Sequence, residues 1–239
     1  MSRFVSMTDM PTVSRRSDAK VEPPLHQRIY RALREEIIRG ERKPGELLGE
    51  AELARSEGVS RSPIREALRQ LEQDDLVRWS PRRGATVAHV TVASLRDTYE
   101  VRESLESLSA ALAAERASAV DHQKMRELAA AIERAQDAGD NMSAITLDDR
   151  LHRLIAATTN NKFLEAQAGR ALDRGMMARM MVREEPGRSQ EIVGEHWAIL
   201  EALERRDPKE SAELAATHVY RARVRLMEML QRASVDHED

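Results

Sequence analysis

The stretch Gly58-Val59-Ser60-Arg61-Ser62-Pro63-Ile64-Arg65-Glu66-Ala67-Leu68 decides the fold, because a turn, a helix start and two arginines free of the apolar pattern follow one another in eleven residues. Gly58 can take the positive φ needed to leave a short preceding helix over 50–57. Ser60 offers a capping oxygen, and Pro63 falls in the first turn, where its missing N–H has no intrahelical partner to lose. Ile64, Ala67, Leu68 and Leu71 recur at helical spacing and predict one buried face. Ser60, Arg61, Ser62, Pro63 and Arg65 are left at the N-terminal end, the part of a recognition helix that meets base edges and phosphates. An arginine there can take a guanine bidentately.

The flanks extend this reading. Leu76-Val77-Arg78-Trp79 and Ala85-Thr86-Val87-Ala88-His89-Val90 read as two short strands joined by the basic turn Ser80-Pro81-Arg82-Arg83-Gly84, which makes a wing. Upstream, Leu25, Ile29, Leu33 and Ile37 mark an amphipathic helix closed by Gly40 and Lys43-Pro44-Gly45. Three helices followed by a hairpin predict a winged helix-turn-helix over 22–91, behind a mobile tail over 1–21.

These residues resemble the GntR family of bacterial transcription regulators, through Pro44-Gly45-Glu46-Leu47-Leu48, Glu52-Leu53-Ala54, the stretch from Val59 to Leu68, and Arg83-Gly84. The resemblance implies that Ser60, Arg61, Ser62 and Arg65 contact DNA and that Arg83 and Gly84 approach the minor groove. Position 51 departs from it, being Ala where some relatives carry a DNA-contacting Arg. Position 75 is Asp where the family usually has Gly, which predicts a left-handed residue that Asp tolerates at modest cost.

The whole chain of 239 residues has room for two domains. It has no Cys, which excludes disulfides and thiol catalysis. No apolar run approaches a membrane span, and the first twenty residues lack the apolar core of a secretory signal, so a cytoplasmic protein is expected. Residues 1–92 carry 17 Lys and Arg against 14 Asp and Glu, whereas the remainder carries 21 against 27. A weakly basic N-terminal part on an acidic body suits local attraction to phosphate.

After Thr91 the pattern is helical throughout, with amphipathic stretches near 92–117, 121–138, 141–158, 161–182, 188–205 and 208–232, and breaks at Gly139-Asp140, Thr158-Thr159-Asn160-Asn161, Glu185-Pro186-Gly187 and Arg206-Asp207-Pro208. The fold class is therefore mainly α, a winged helix-turn-helix followed by an all-helical bundle over 92–233 and a C-terminal tail over 234–239. The two domains are expected to have separate cores. Within the bundle Asp148 and His152 stand i,i+4 on one face, while His196 and His218 share faces with apolar neighbours on two later helices. One carboxylate with three imidazoles suits a divalent transition metal (Zn, Ni, Fe or Mn) better than Ca or Mg. Asp149 is the alternative carboxylate, and Glu195 reads as a helix cap.

Asp148-Asp149-Arg150-Leu151-His152, Glu195-His196-Trp197-Ala198-Ile199-Leu200 and Thr217-His218 resemble the metal-ligand segments of the FCD effector domain in the FadR subfamily of GntR proteins, with Leu151 standing where relatives usually carry an aromatic residue. The resemblance implies that Asp148, His152, His196 and His218 hold the metal. It also implies that a small organic acid fills its open positions, with Arg102 as carboxylate receptor. The alternative for Arg102 is a local pair with Glu106. The expected function is a ligand-responsive repressor, a homodimer reading a pseudo-palindromic double-stranded DNA operator. Two alternatives are a metalloenzyme of the facial-triad type with an appended DNA-binding domain, and a purely structural metal.

Overall fold

The computed structural model describes residues 22–81, 83–181 and 189–235. The expected N-terminal tail, the break at 185–187 and Arg82 of the wing turn lie outside them. Among the described residues the order is α1 (Leu25–Ile38), α2 (Glu50–Ser56), α3 (Arg61–Gln73), β1 (Val77–Ser80), β2 (Gly84–Val87), then α4 (Val92–Arg116), α5 (Ala119–Asp137), α6 (Asn141–Thr158), α7 (Lys162–Met181), α8 (Ser189–Glu204) and α9 (Pro208–Val235). Helix α9 thus runs past the expected start of the C-terminal tail. No described helix is long and apolar enough to cross a membrane.

The N-terminal part is a winged helix-turn-helix. Ile29, Leu33 and Ile37 of α1 meet Ile64, Ala67, Leu68 and Leu71 of α3, and Leu76, Val77, Ala85 and Val87 close the core from the wing. The turn before α3 uses Gly58 at φ 65, and the chain leaves α3 through Asp75 at φ 58, the left-handed residue its position predicts. Strands β1 and β2 pair antiparallel from Val77↔Val87 to Ser80↔Gly84. The segment before α2 joins them, Leu48 N donating to Ala85 O at 2.8 Å and Val87 N to Glu46 O at 2.9 Å. One expectation is corrected: Ser60 occupies the N-cap, but its hydroxyl makes no capping hydrogen bond. Pro63, whose fixed φ suits a first turn, secures the entry instead.

The six later helices form the bundle. Thr91 and Ser94 cap α4 reciprocally, Thr91 Oγ1 accepting from Ser94 N at 3.1 Å and Ser94 Oγ from Thr91 N at 3.0 Å. Ser118 and Asp121 repeat this motif for α5. One bundle core gathers Ala110, Ala113, Met125, Ile132, Leu151, Ile155, Ile199, Leu200 and Leu203, and a second gathers Leu95, Tyr99, Ala178, Val219 and Leu226. The inner face of α4 also buries Thr98, Arg102, Glu106 and Ser109, so polar chemistry is built into the interior. At the end of the bundle where α4 stops, Arg206 at φ 56 donates to the carbonyls of Ala114, Glu115 and Ala117 at 3.1 to 3.2 Å. Arg116 Nη1 donates to Thr159 O at 2.7 Å.

The expectation of separate cores fails. Met177 of α7, 5 % exposed, belongs to the apolar cluster of the winged domain. Around it the boundary is ionic: Arg34 of α1 grips Asp173 with two hydrogen bonds, Nε to Oδ2 at 2.6 Å. Asp74 accepts from Tyr30 at 2.6 Å and pairs with Arg170 at 2.8 Å, and Asp75 pairs with Arg174 at 3.2 Å. The sequence pattern hides this because helical periodicity shows which face of α7 is apolar but not which domain it enters. Met177→Ala should destabilise the protein by about 2 to 4 kcal/mol, the ordinary cost of emptying a buried Met site. Urea denaturation followed through Trp79 of the wing checks this, and an unchanged midpoint would show that Met177 adds nothing to the winged core.

Candidate functional site

Two groups of side chains invite function. The first is the exposed face of α3, whose buried face is anchored by Ile64, Ala67, Leu68 and Leu71, each fully buried. Arg61, Ser62 and Arg65 are exposed at its N-terminal end, with Ser60 exposed at the cap and Pro63 half-buried. Arg65 does not extend freely: Glu50 at the start of α2 accepts from its Nε at 2.9 Å and its Nη2 at 2.7 Å. At the wing tip Arg83 is exposed and Gly84 sits at φ 81, a conformation that glycine takes without strain.

The second group lies inside the bundle. Asp148 and His152 face inward from α6 between Ile145 and Ile155, His196 enters from α8 beside Ile199 and Leu200, and His218 from α9 beside Val219. All four are buried, and one ligand atom from each lies within 4.8 Å of the others. Asp148 Oδ1 stands 2.9 Å from His196 Nε2 and 3.5 Å from His152 Nε2, and the Nε2 atoms of His152 and His218 are 3.3 Å apart. Ligands bonded at about 2.1 Å to one ion stand about 3.0 to 3.4 Å apart in octahedral or tetrahedral arrangement, so these spacings fit a single first-row divalent metal. His196 Nδ1 is buried without a hydrogen-bond partner among the described residues, and Nε2 is turned to the Asp148 carboxylate at 2.9 Å, where a metal shared by the two would sit.

Further carboxylates and a guanidinium hold the ligands from behind. Glu106 Oε2 lies 2.6 Å from His152 Nδ1, Glu195 Oε2 lies 2.7 Å from His218 Nδ1, and Arg179 Nη1 donates to Asp148 Oδ2. The two carboxylates orient the imidazoles of His152 and His218 with Nε2 toward the cluster. Electrostatics separate the rings. Burial opposes the charged form of His152, but Glu106 and Asp148 outweigh it and push its pKa up to about 10. Burial brings His218 down to about 4, and the contact with Glu195 only partly offsets this. Burial also works against the carboxylates, yet Arg102 holds Glu106 below its ordinary range, and Arg179 does the same for Asp148.

Arg102 lies 3 % exposed behind this cluster. Its Nε donates to Glu106 Oε1 at 2.7 Å, and its guanidinium stacks over Tyr99 with 4.6 Å to the ring centroid. The local pair raised as an alternative is therefore present, and it ties Arg102 to His152 through Glu106. Asp149 stands outside the group: its carboxylate accepts from Arg153 at 2.7 and 3.1 Å, and Arg153 also donates to Asp173. Burial pushes the Asp173 carboxyl up even though Arg153 and Arg34 flank it. Glu195 is not the helix cap expected of it, since it accepts from His218 and from Arg221 and Arg225 at 3.1 to 3.3 Å. Sequence reasoning also missed Arg179 and the role of Glu106. The i+4 spacing from Arg102 pointed to Glu106, but nothing local pointed to Arg179.

Comparison with known proteins gives the class. Residues 25–87 match the bacterial regulatory proteins of the gntR family, and residues 97–221 match the FCD domain. The chain is 31% identical over 200 residues to the uncharacterized HTH-type transcriptional regulator YdhC of Bacillus subtilis, covering 82% of this chain and 86% of that protein. It is 33% identical over 136 residues to the HTH-type transcriptional repressor RspR of Escherichia coli, covering 55% of this chain and 58% of RspR. The fold is shared with E. coli McbR/YncC, at a TM-score of 0.76 and 24% identity over 86% of this chain and 98% of that one. It is also shared with a GntR regulator from Rhodococcus sp. RHA1, at 0.71 and 20% over 85% and 97%. This protein belongs to the gntR family of bacterial transcription regulators, in the FadR subfamily that carries an FCD effector domain. It is a DNA-binding regulator, and the matched relatives are named as regulators rather than enzymes, which removes the support for the metalloenzyme alternative.

The seat of Arg102 can be tested. A Cβ at Gly175 would stand 2.6 Å from Arg102 Nη1, closer than contacts allow, so Gly175→Ala should cost about 1 to 3 kcal/mol by overpacking. The cost should shrink in an Arg102→Ala background. Equal costs in both backgrounds, measured by a double-mutant cycle in thermal unfolding, would mean the two residues do not meet.

Proposed function

We propose that this regulator is a repressor whose helical domain binds a divalent transition metal and a small organic acid, and which releases its operator when the acid binds. The observation that carries this reading is the buried set Asp148, His152, His196 and His218, whose ligand atoms lie within 4.8 Å of one another beside the buried Arg102. Zn, Ni, Fe or Mn suits three imidazoles and one carboxylate. A metal held by these four residues would keep open positions for an oxygen ligand and supply Lewis acidity to it. Glu106 and Glu195 face Nδ1 of His152 and His218, which leaves Nε2 of each turned to the centre, where a metal would displace any proton it carries. Arg102, with its Nη donors not engaged by Glu106, receives the acid's carboxylate. The exclusion of water by the surrounding helices strengthens each of these interactions.

The response reaches the winged domain through charged contacts. Asp149 follows Asp148 on α6, pairs with Arg153, and Arg153 shares Asp173 with Arg34 of α1. A small rotation of α6 therefore loads the grip on α1, and an allosteric coupling of about 1 to 3 kcal/mol is the usual scale. In the homodimer, two α3 helices read the halves of a pseudo-palindromic operator in successive major grooves, through Ser60, Arg61, Ser62, Pro63 and Arg65, with Arg83 and Gly84 at the minor groove. RspR, named a repressor, supports the sign of regulation. A cytoplasmic location follows from DNA as the partner.

Two outcomes test this. Purified protein should carry one metal per chain by elemental analysis, His196→Ala should lose most of it, and small carboxylic acids should raise the melting temperature of the metal-loaded form alone. Acid-induced stabilisation that survives chelation would remove the metal from the effector site, and metal that changes stability without any acid response would make it structural. Separately, Arg65→Ala should weaken binding to the selected operator roughly 10-fold or more if it makes a bidentate base contact. Unchanged affinity would take Arg65 out of the reading set.

A further inference from the structure

Arg61, Arg65 and Arg69 recur every fourth residue along α3 and are all exposed, which aligns them as one cationic stripe. Glu50 lies against the middle of that stripe. Its carboxylate takes Arg65 side-on, through Nε at 2.9 Å and Nη2 at 2.7 Å. Arg61 and Arg69 act on the same carboxylate through space, and the Arg65 hydrogen bonds hold its pKa below the ordinary range. Glu50 is also the firmer partner, its side chain 19 % exposed against 51 % for Arg65, because it stands on the first residue of α2, whose Leu53 and Ala54 are buried in the winged core.

A guanidinium carries five N–H donors in a planar fork. The side-on grip uses one hydrogen on Nε and one on Nη2. What remains is the end-on edge, the second hydrogen of Nη2 with those of Nη1, facing away from Glu50. With the side-on edge taken by Glu50, the end-on edge is the one left to meet O6 and N7 of guanine, whereas a free arginine beside DNA is drawn to whichever phosphate is nearest. We propose that Glu50 is a positioning residue for sequence reading, which holds Arg65 side-on so that its end-on edge meets a guanine in the major groove. The proposal rests on α3 being the DNA-reading helix. Its consequence is specific: Glu50 contributes discrimination while, as an anion close to the duplex, it lowers affinity for arbitrary sequence.

The test begins with the wild-type protein selecting duplexes from a random pool. Fluorescence anisotropy then follows wild type, Glu50→Gln, Arg65→Ala and the double variant on the selected duplex and on a scrambled duplex of equal length, across a salt series, with thermal unfolding as a check on folding. Glu50→Gln should lose about 10-fold of the preference for the selected duplex. It should bind the scrambled duplex as tightly as wild type or more tightly, with a salt slope steeper by about one ion for the phosphate contact Arg65 then makes. The double variant should be no less selective than Arg65→Ala. Equal strengthening on both duplexes would reduce Glu50 to a competitor of phosphate and overturn the proposal. Retained preference in Arg65→Ala would overturn it along with the reading role of Arg65. Failure of the wild type to enrich any sequence would overturn the DNA-reading assignment of α3 itself, and a result confined to Glu50→Gln would leave that assignment standing.

Discussion

The helical domain closes around charge, and this constraint governs much of its structure. Arg102, Glu106, Asp148, His152, His196 and His218 are all buried, and each ion taken from water costs several kcal/mol unless a partner replaces the solvent. The fold therefore surrounds the group with compensating charges inside an apolar shell that includes Ile145, Ile155, Ile199 and Val219. Glu106 stands between Arg102 and His152, Asp148 between Arg179 and His196, and Glu195 between His218 and the arginines at 221 and 225. The helices that carry these residues meet in an arrangement that keeps these pairs intact.

The same economy of charge continues to the boundary with the winged domain. Asp173 is almost wholly buried, yet it is shared between Arg153 of the bundle and Arg34 of α1. A carboxylate held by two guanidiniums on opposite sides is a junction, because neither arginine can leave without exposing the other to an imbalance. Met177 sets an apolar anchor near this ionic one. The winged domain is thereby held by contacts of both kinds, and its orientation is coupled to α7 rather than to a flexible linker.

Legibility in the sequence divided along local and non-local lines. The winged half was readable because its determinants are short: Gly58 for the turn, Pro63 for the helix start, the spacing of Ile64, Ala67, Leu68 and Leu71, and Asp75 in the left-handed region. The Ser60 expectation failed because residue type marks an N-cap position without saying where the hydroxyl turns. In the bundle, Asp148 and His152 were visible as an i,i+4 pair, and the structure brings His196 and His218 to them from helices far along the chain. Arg179, the shared Asp173 and Met177 had no local signal at all. Arg34 and Asp173 are 139 residues apart, and their pairing depends on how two domains meet, which periodicity does not encode. Glu195 was visible but misread, since its neighbour in the sequence is His196 while its partner in space is His218.

The two arginines at the end of the bundle where α4 stops give the domain a direction. Arg206 closes the last carbonyls of α4 from the α8–α9 turn, and Arg116 ties the same end to the last turn of α6. Helix α4 is thus pinned at its C-terminus, whereas its N-terminus follows directly from the wing. Its N-terminal half is seated in the second bundle core, with Leu95 and Tyr99 buried against Ala178, Val219 and Leu226, and Arg174 of α7 donates to Thr98 Oγ1 at 3.1 Å. The helix is thereby held by different means at its two ends, through backbone carbonyls where it stops and through apolar contact with α7 and α9 where it starts, with the buried Arg102–Glu106 pair between them.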